Sequence, residues 1–271
     1  SDAAQGVAIT PSGDVLVTGA FENSADFGAG VVLGEGYNDT FIARYDAQGS
    51  LLWAQTYTGE GSEHGESVAV DADGSIYVVG LFSSPVDFGG GERDPGDFYA
   101  PFVLALTGDG DYRWDRTQSS GGAATLYGVA LQSSGDLVIA GDFNGTLTLA
   151  DADLPSETQK GLELFALGLS PEGDFLWAYT PSGAASSRGF DVAVGPEDEI
   201  AIAGVYSEEV TFGDDPRTSA GNDDLVVVGL TPEGLYQWDA TFGGTDGEEG
   251  NAVAIDASGQ VAVGGGTWGD L

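Results

Sequence analysis

The chain contains no cysteine, one histidine, and seven basic residues against 44 acidic ones. Each shortage removes a class of chemistry. Without cysteine there is no disulfide, no thiolate-held metal and no Cys–His nucleophile, although the compartment stays open. With His64 as the sole imidazole, zinc sites and Ser–His systems of ordinary form are nearly excluded too. No run of about 18 apolar residues exists, so no helical membrane span is expected; residues 225–230 form one of the longest apolar stretches. Residue 1 is not methionine, and Ser1-Asp-Ala-Ala has neither a basic end nor an apolar segment. No signal peptide remains, and a processed or excised piece is expected.

Positive charge is the largest deficit. Lys160 and six arginines leave a formal net charge of −37. A field of that sign repels nucleic acid and anionic membranes and favours solubility. It also opposes compaction, so the fold should gain from salt or divalent cations. The acidic excess comes with ample valine, isoleucine, phenylalanine and tryptophan, which is not the composition of a disordered chain. A soluble, exported protein from a saline or calcium-containing medium is expected, with adaptation of a cytoplasm to high salt as the alternative.

What is present is a repeat. A tight glycine turn followed four residues later by tryptophan occurs at Gly49/Trp53, Gly110/Trp114, Gly173/Trp177 and Gly234/Trp238, the tryptophans spaced by 61, 63 and 61 residues. Such a period means one structural unit copied along the chain. The units run over 7–67, 68–128, 129–191 and 192–252, with a partial copy at 253–271, as a single array over 1–271. Each opens with a short apolar strand (Val7-Ala-Ile9, Val68-Ala-Val70, Val129-Ala-Leu131, Val192-Ala-Val194, Val253-Ala-Ile255). A turn follows, carrying Gly13, Gly74, Gly135 and Gly259 but Asp198 in the fourth copy. The second strand ends at a glycine, and in the four full copies an aromatic stands two residues on: Phe21, Phe82, Phe143 and Tyr206. The bulky residues Phe27, Phe88, Leu149 and Phe212 come next, then a variable loop, a third apolar strand, a turn, and the strand bearing the tryptophan. Ser170-Pro-Glu-Gly173 and Thr231-Pro-Glu-Gly234 place Pro where a type I turn wants its fixed φ and Gly where φ must be positive.

Hairpin signals at this spacing, without helical periodicity, predict an all-β chain. The second and third strands are apolar at nearly every position, the pattern of strands buried on both faces. Four-stranded sheets stacked side by side, each covered by its neighbours, are the blades of a β-propeller. The expected fold is therefore an all-β β-propeller array of ~61-residue, four-stranded antiparallel blades. Trp53, Trp114, Trp177 and Trp238 are then packing residues between blades. A buried aromatic withdraws roughly 150–250 Å² from water, about 4–6 kcal/mol as an upper bound. Four units plus one hairpin predict a segment of a larger propeller; a five-bladed ring with a defective last blade is the alternative.

The pattern V-A-(V/I)-D-x-x-G-x-(I/V)-Y-V-x-G, then an aromatic, then D-x-F-(V/I), then G-x-x-x-W, resembles the bacterial β-propeller repeat called SBBP, for seven-bladed β-propeller. Residues 68–128 are a good specimen; the third copy departs, with Leu149-Ala150 for the Phe-Gly pair and Glu163 where Asp39 and Asp224 stand. The resemblance implies secreted or cell-envelope surface proteins of bacteria, mostly without assigned activity. It supplies no catalytic residues.

By strand order, the long acidic segments 60–66, 83–100, 144–163, 207–224 and 243–251 all fall on one face. Binding sites usually sit on such loops over a rigid scaffold. Clustered carboxylates there suit a hard cation such as calcium, and the candidate ligands are Asp94, Asp97, Asp214, Asp215, Asp223, Asp224, Asp246, Glu248 and Glu249. Asp71-Ala-Asp73-Gly74 reads as a turn on the opposite face. His64, in the polar segment Gly61-Ser-Glu-His-Gly-Glu66, reads as an exposed loop residue. The functional expectation is a non-catalytic binding, scaffold or adhesion module with a protein or glycan partner on the acidic face, assisted by calcium; for a glycan, Tyr37, Phe98 and Tyr99 are the few aromatic candidates. No nucleic acid and no membrane insertion are expected, and an oligomer would follow if the ring is incomplete. The alternative is a quinoprotein-like or glycoside-acting propeller enzyme. The G-x-x-x-W turn also resembles the tryptophan-docking motif of quinoproteins, and paired carboxylates for glycoside hydrolysis remain open.

Overall fold

The computed structural model describes every residue except 1, 97–98, 119–121, 151, 157–160, 184 and 269–271. The chain divides into two compact units, Ser1–Leu126 and Tyr127–Leu271. The described residues contain strands, turns and bends and no helix.

The first unit holds two blades. Blade one consists of β1 (Ala3–Ile9), β2 (Val15–Phe21), the small ribbon β3 (Ser24–Asp26) and β4 (Val31–Leu33), β5 (Asp39–Tyr45) and β6 (Leu51–Tyr57). Blade two repeats it as β7 (Glu63–Val70), β8 (Ile76–Phe82), the ribbon β9 (Val86–Asp87) and β10 (Glu92–Arg93), β11 (Ala100–Leu106) and β12 (Tyr112–Thr117). Blade three, in the second unit except for the first three residues of its first strand, is β13 (Ala124–Leu131), β14 (Leu137–Phe143), the ribbon β15 (Thr146–Leu149) and β16 (Ala152–Pro155), β17 (Glu163–Leu169) and β18 (Phe175–Tyr179). Blade four is β19 (Ser187–Val194), β20 (Ile200–Thr211), β21 (Pro216–Leu230) and β22 (Tyr236–Phe242), followed by the hairpin β23 (Glu248–Ile255) and β24 (Val261–Thr267). Every blade is a four-stranded antiparallel meander in the order first, second, third, fourth.

Local sequence explains the meander. The glycines of the tight turns adopt the positive φ their positions require, +83° at Gly49 and +76° at Gly234, and Asp198, replacing glycine in the fourth copy, sits at +62°. The glycine closing the second strand in blades one, two and four and in the last hairpin serves another purpose. A β-bulge in the first strand lies opposite it, as at Gly65/Ser67, and a Cβ on Gly80 would overlap the carbonyl oxygen of His64. Only glycine lets the two backbones approach so closely.

Cores form between blades. In the first unit Leu16, Ile42 and Tyr57 of blade one pack with Val68, Val78 and Phe82 of blade two. In the second, Val138, Leu164 and Tyr179 of blade three pack with Val192, Ile202, Tyr206 and Val226 of blade four. Strands β11, β14 and β17 are buried at every position, as strands covered on both faces must be. Trp53 donates its indole N–H to the carbonyl of Gly108 at 3.2 Å, in the turn after the third strand of blade two. Trp177 lies in the same way over Gly234, in the corresponding turn of blade four. Trp114 packs on Tyr77 within its own blade, ring centroids 6.1 Å apart, and Trp238 remains 37% exposed.

Two readings of the sequence are corrected. The segment between second and third strands is not an open loop in the first three blades but a two-stranded ribbon, and in the fourth it is the extended tip of β20 and β21. Its bulky residue turns back onto the blade. Phe27 sits edge-on to Phe21 at 5.7 Å, and Phe88 stands in the same relation to Phe82 at 5.5 Å. His64 is not an exposed loop residue either; β7 begins at Glu63, and His64 is half-buried, with its pKa lowered by burial.

Candidate functional site

Three features of the scaffold could carry chemistry: the ribbons, the meeting point of the first strands, and the carboxylates. In blades two and four the ribbon or tip is fastened to the blade by an arginine. Arg93 grips Asp115 of β12 at 2.6 Å through Nε and 3.0 Å through Nη2, and Arg217 grips Asp239 of β22 at 2.6 and 3.3 Å. Tyr112 and Tyr236 donate their hydroxyls to the same aspartates. Both aspartates are almost fully enclosed, so two forked guanidinium–carboxylate bonds anchor otherwise polar segments. The ribbon of blade one lacks such a clamp and instead holds Tyr45, whose hydroxyl donates to the Phe27 carbonyl at 3.0 Å. Its outer side carries Val31 and Leu33, and Tyr37 follows it; the three are 69, 75 and 76% exposed, the most exposed large apolar side chains of the described residues. Acidic residues Glu22, Asp26 and Glu35 flank this patch.

First strands of successive blades approach backbone to backbone: Gly6 lies against Ser67 and Val68, and Gly128 against Asp191 and Val192. In the second unit this region contains a departure from the repeat. Where blades two and four have Leu81 and Val205, blade three has Asp142, which is 1% exposed. Arg188 of β19 donates to it from Nε at 2.7 Å and from Nη2 to the Tyr127 hydroxyl at 2.7 Å. The guanidinium also lies 4.9 Å from the Phe190 ring centroid and 5.8 Å from that of Tyr127. Burial raises the Asp142 pKa while the hydrogen bond and charge of Arg188 pull it back. Sequence reasoning missed this cluster. The signal was an acid at a register position that is apolar in the neighbouring copies.

Buried acids recur at blade ends. Asp39 and Glu63 are fully buried, with Asp224 and Glu248 at the same register positions 4% exposed. Asp39 accepts from the backbone N–H of Glu35 at 2.8 Å and Gly59 at 3.3 Å. Glu63 accepts from the Ser84 hydroxyl at 2.9 Å, while its second oxygen has no hydrogen-bond partner. Burial, with Asp39 nearby, pushes Glu63 up to about 7. The sequence reading offered Asp224 and Glu248 as cation ligands and did not single out Asp39 or Glu63 as buried groups.

The proposed cation ligands are dispersed. Asp94, Asp214, Asp215, Asp223 and Asp246 are exposed, and Asp94 accepts from the Gly96 N–H at 2.9 Å; Asp97 lies outside the described residues, as does Phe98. Asp224 accepts from the Ala220 N–H at 2.9 Å and Glu248 from the Gly244 N–H at 2.8 Å, and Gly243 packs on the Asp224 carboxylate. Glu249 holds the side-chain amide of Asn251 at 2.9 Å. Among the described residues no three His, Cys, Asp or Glu side chains gather as a metal site would require. Tyr99, like Tyr37, is exposed.

No family model matches the chain. An uncharacterized WD repeat-containing protein of Acanthamoeba polyphaga mimivirus is 23% identical over 250 residues, covering 83% of this chain. The chain thus spans only 17% of that relative's length. Among solved structures, a glucose dehydrogenase matches with TM-score 0.45 and 15% identity over 97% of this chain and 79% of that one. A member of the DUF4221 family from Bacteroides vulgatus matches with TM-score 0.41 and 10% identity over 97% and 86% of the two chains. The WD-repeat relative accords with the repeated four-stranded sheets of a propeller-like, all-β protein.

Proposed function

We propose that this chain is a non-catalytic binding or scaffold module that engages a protein partner through the acidic ribbon-bearing edge of its blades. The carrying observation is the exposure of Val31 and Leu33 on the ordered ribbon of blade one, with exposed Tyr37 just after it in the chain and Glu22, Asp26 and Glu35 as sequence neighbours. An exposed apolar cluster rimmed by polar groups is what interaction surfaces look like, and the surrounding negative field would select a basic rim on the partner. The WD repeat-containing relative supports a binding role in general. The resemblance to the SBBP repeat supports a secreted or cell-envelope setting in a bacterium. Calcium assistance is part of the proposal as general relief of the formal net charge of −37, not through a gathered carboxylate site.

The test places a photo-crosslinking residue at Leu33 or Tyr37, and as a control at Leu235, which is also exposed but lies beside a tight turn. The expected result is a discrete protein adduct, from an extract of the source organism, at the ribbon positions and not at Leu235. Equal labelling at all three positions, or turnover of a dye-linked sugar oxidation or of an aryl glycoside by the purified protein, would overturn it. Calcium is tested separately by thermal melting with chelator and then with millimolar calcium at matched ionic strength; equal midpoints remove the cation from the proposal.

A further inference from the structure

The ribbon of blade one presents an edge unlike those of the other blades. Its strands pair Ser24 with Leu33, Ala25 with Val32 and Asp26 with Val31, and one residue further the Gly34 N–H donates to the Asn23 carbonyl at 2.9 Å. Hydrogen-bonded and non-hydrogen-bonded pairs alternate in an antiparallel ladder, so the main-chain groups of Val31 and Leu33 point away from β3. Among the described residues no strand lies beside that outer edge of β4. The side chains alternate too. Ala25 packs inward on the core of Phe21 and Phe41, whereas Val31 and Leu33 stand exposed on the outer face with Asp26 opposite Val31.

The same ladder recurs in the other blades with a different edge. The positions of Val31 and Leu33 are held by Glu92 and Asp94 in blade two, by Asp153 and Pro155 in blade three, and by Pro216 and Thr218 in blade four. Charge and proline are what natural sheets use to keep an open edge from pairing. Three copies carry them, and blade one carries two aliphatic residues instead. Nor does the exposure follow from blade one coming first. Glu92 and Asp94 are exposed although blade one precedes them in the first unit. Pro216 and Thr218 are exposed in blade four, which packs against both blade three and the hairpin β23–β24.

Charge says what this edge accepts. Residues 1–43 contain six acids, Asp2, Asp14, Glu22, Asp26, Glu35 and Asp39, and no lysine or arginine. Asp2 sits at the foot of the ribbon, accepting from the Glu22 N–H at 3.1 Å. A second copy of the chain brings the same net charge of −37 and is repelled. We propose that β4 accepts an added strand from a basic protein segment, with apolar side chains in register with Val31 and Leu33 and lysine or arginine beside them. Main-chain bonds to Val31 and Leu33 hold the strand, the two side chains select its alternation, and Asp26 with its acidic neighbours selects its charge. This inference rests on the reading that the ribbon docks a protein, and it adds the conformation and composition of the docked segment.

The probe is a synthetic peptide of alternating valine and threonine with lysines at both ends, titrated into the 271-residue protein by calorimetry, with amide hydrogen exchange read across residues 31–33. Saturable one-to-one binding is expected, with exchange slowed at Val31 and Leu33. Replacing the peptide's lysines by glutamates, or its central valine by proline, should each weaken binding about tenfold or more. In the protein, Val31→Glu combined with Leu33→Asp copies the edge of blade two. It should weaken binding by as much, although the added negative charge would strengthen a merely electrostatic association. Leu235→Ser, at an exposed apolar residue of the other unit, should leave binding unchanged. The peptide variants are free of any question of misfolding. Absence of saturable binding, indifference to the glutamates, to the proline or to the edge substitution, or binding without protection of Val31 and Leu33 would each overturn strand addition. If protein crosslinks at Leu33 persist beside such a result, strand addition falls and docking by the ribbon stands; if they too are absent, both fall. A concentration-dependent dimer that the edge substitution abolishes would also overturn the proposal, assigning the edge to a second copy.

Discussion

Substituting Gly234 by alanine separates blade docking from turn geometry. Gly234 and Gly135 both occupy tight turns in the second unit with positive φ, +76° and +88°. An alanine methyl at Gly135 meets only Pro171 at 3.5 Å, an ordinary contact, whereas at Gly234 it overlaps the ring carbons of Trp177. The left-handed backbone costs an L-residue roughly 1–2 kcal/mol at either site. Only Gly234→Ala forces the indole out or displaces the turn, which by the usual cost of overpacking adds about 1–3 kcal/mol. Chemical denaturation should therefore show a loss of about 1–2 kcal/mol for Gly135→Ala and about 2–5 kcal/mol for Gly234→Ala. Gly49→Ala, at the equivalent turn of blade one with nothing within 4 Å of the new methyl, should match the smaller figure. Trp177→Ala combined with Gly234→Ala should be less destabilising than the sum of the two, since the collision is then absent. Equal losses at Gly234 and Gly135, together with strict additivity of the Trp177 pair, would refute docking as a stabilising contact.

Other expectations follow from single sites. Ala150 holds φ at +51° where blades one and two have Gly28 and Gly89, so Ala150→Gly should stabilise the second unit by about 0.5–1 kcal/mol after the extra freedom of glycine in the unfolded chain is discounted; a drop in melting temperature contradicts this. Arg188→Leu leaves Asp142 buried without its cation and should cost about 3–5 kcal/mol. Adding Asp142→Leu should recover most of that loss, since the neighbouring copies are apolar there, and failure to recover would show that the cluster has a role beyond packing. Glu63 is raised from 4.5 to about 7 in the folded protein, so the native state holds a proton that the unfolded chain releases. Stability of the first unit should then fall as pH rises from about 4.5 to 7 and level off above, by at most on the order of 3 kcal/mol. Glu63→Gln should flatten that slope, and persistence of the slope would assign it elsewhere.

Much of the fold could be read from local sequence because its determinants are local. A positive-φ glycine at a fixed offset, a proline ahead of it and an apolar run on either side specify a hairpin without knowledge of what packs above it. The repeat then supplies the neighbours. What escaped was set by partners distant in the sequence. Phe27 and Phe88 were visible as bulky residues after the second strand, yet only the folded ribbon shows them turned back onto Phe21 and Phe82. Arg93 and Asp115 are 22 positions apart, and Arg188 and Asp142 are 46. No periodicity joins either pair. In a chain with 44 acidic residues, composition favours reading each as solvated, which hid Asp39, Glu63 and Asp142; aligning the copies would have exposed Asp142, because its counterparts are apolar. The acidic candidates for a cation were chosen by adjacency in sequence, and adjacent residues on a strand point to opposite faces, so Asp223 is exposed while Asp224 is buried.

The packing of one blade on the next rests on the indoles of Trp53 and Trp177 lying against the third-to-fourth turn of the following blade. Nuclear Overhauser spectroscopy on labelled protein reads that contact directly. Cross-peaks from the Trp53 indole N–H to the α protons of Gly108 and Gly110, and from the Trp177 ring to ring-current-shifted α protons of Gly234, are predicted. Indole protons that show only intrastrand contacts, with Gly234 α protons at unperturbed shifts, would contradict the account.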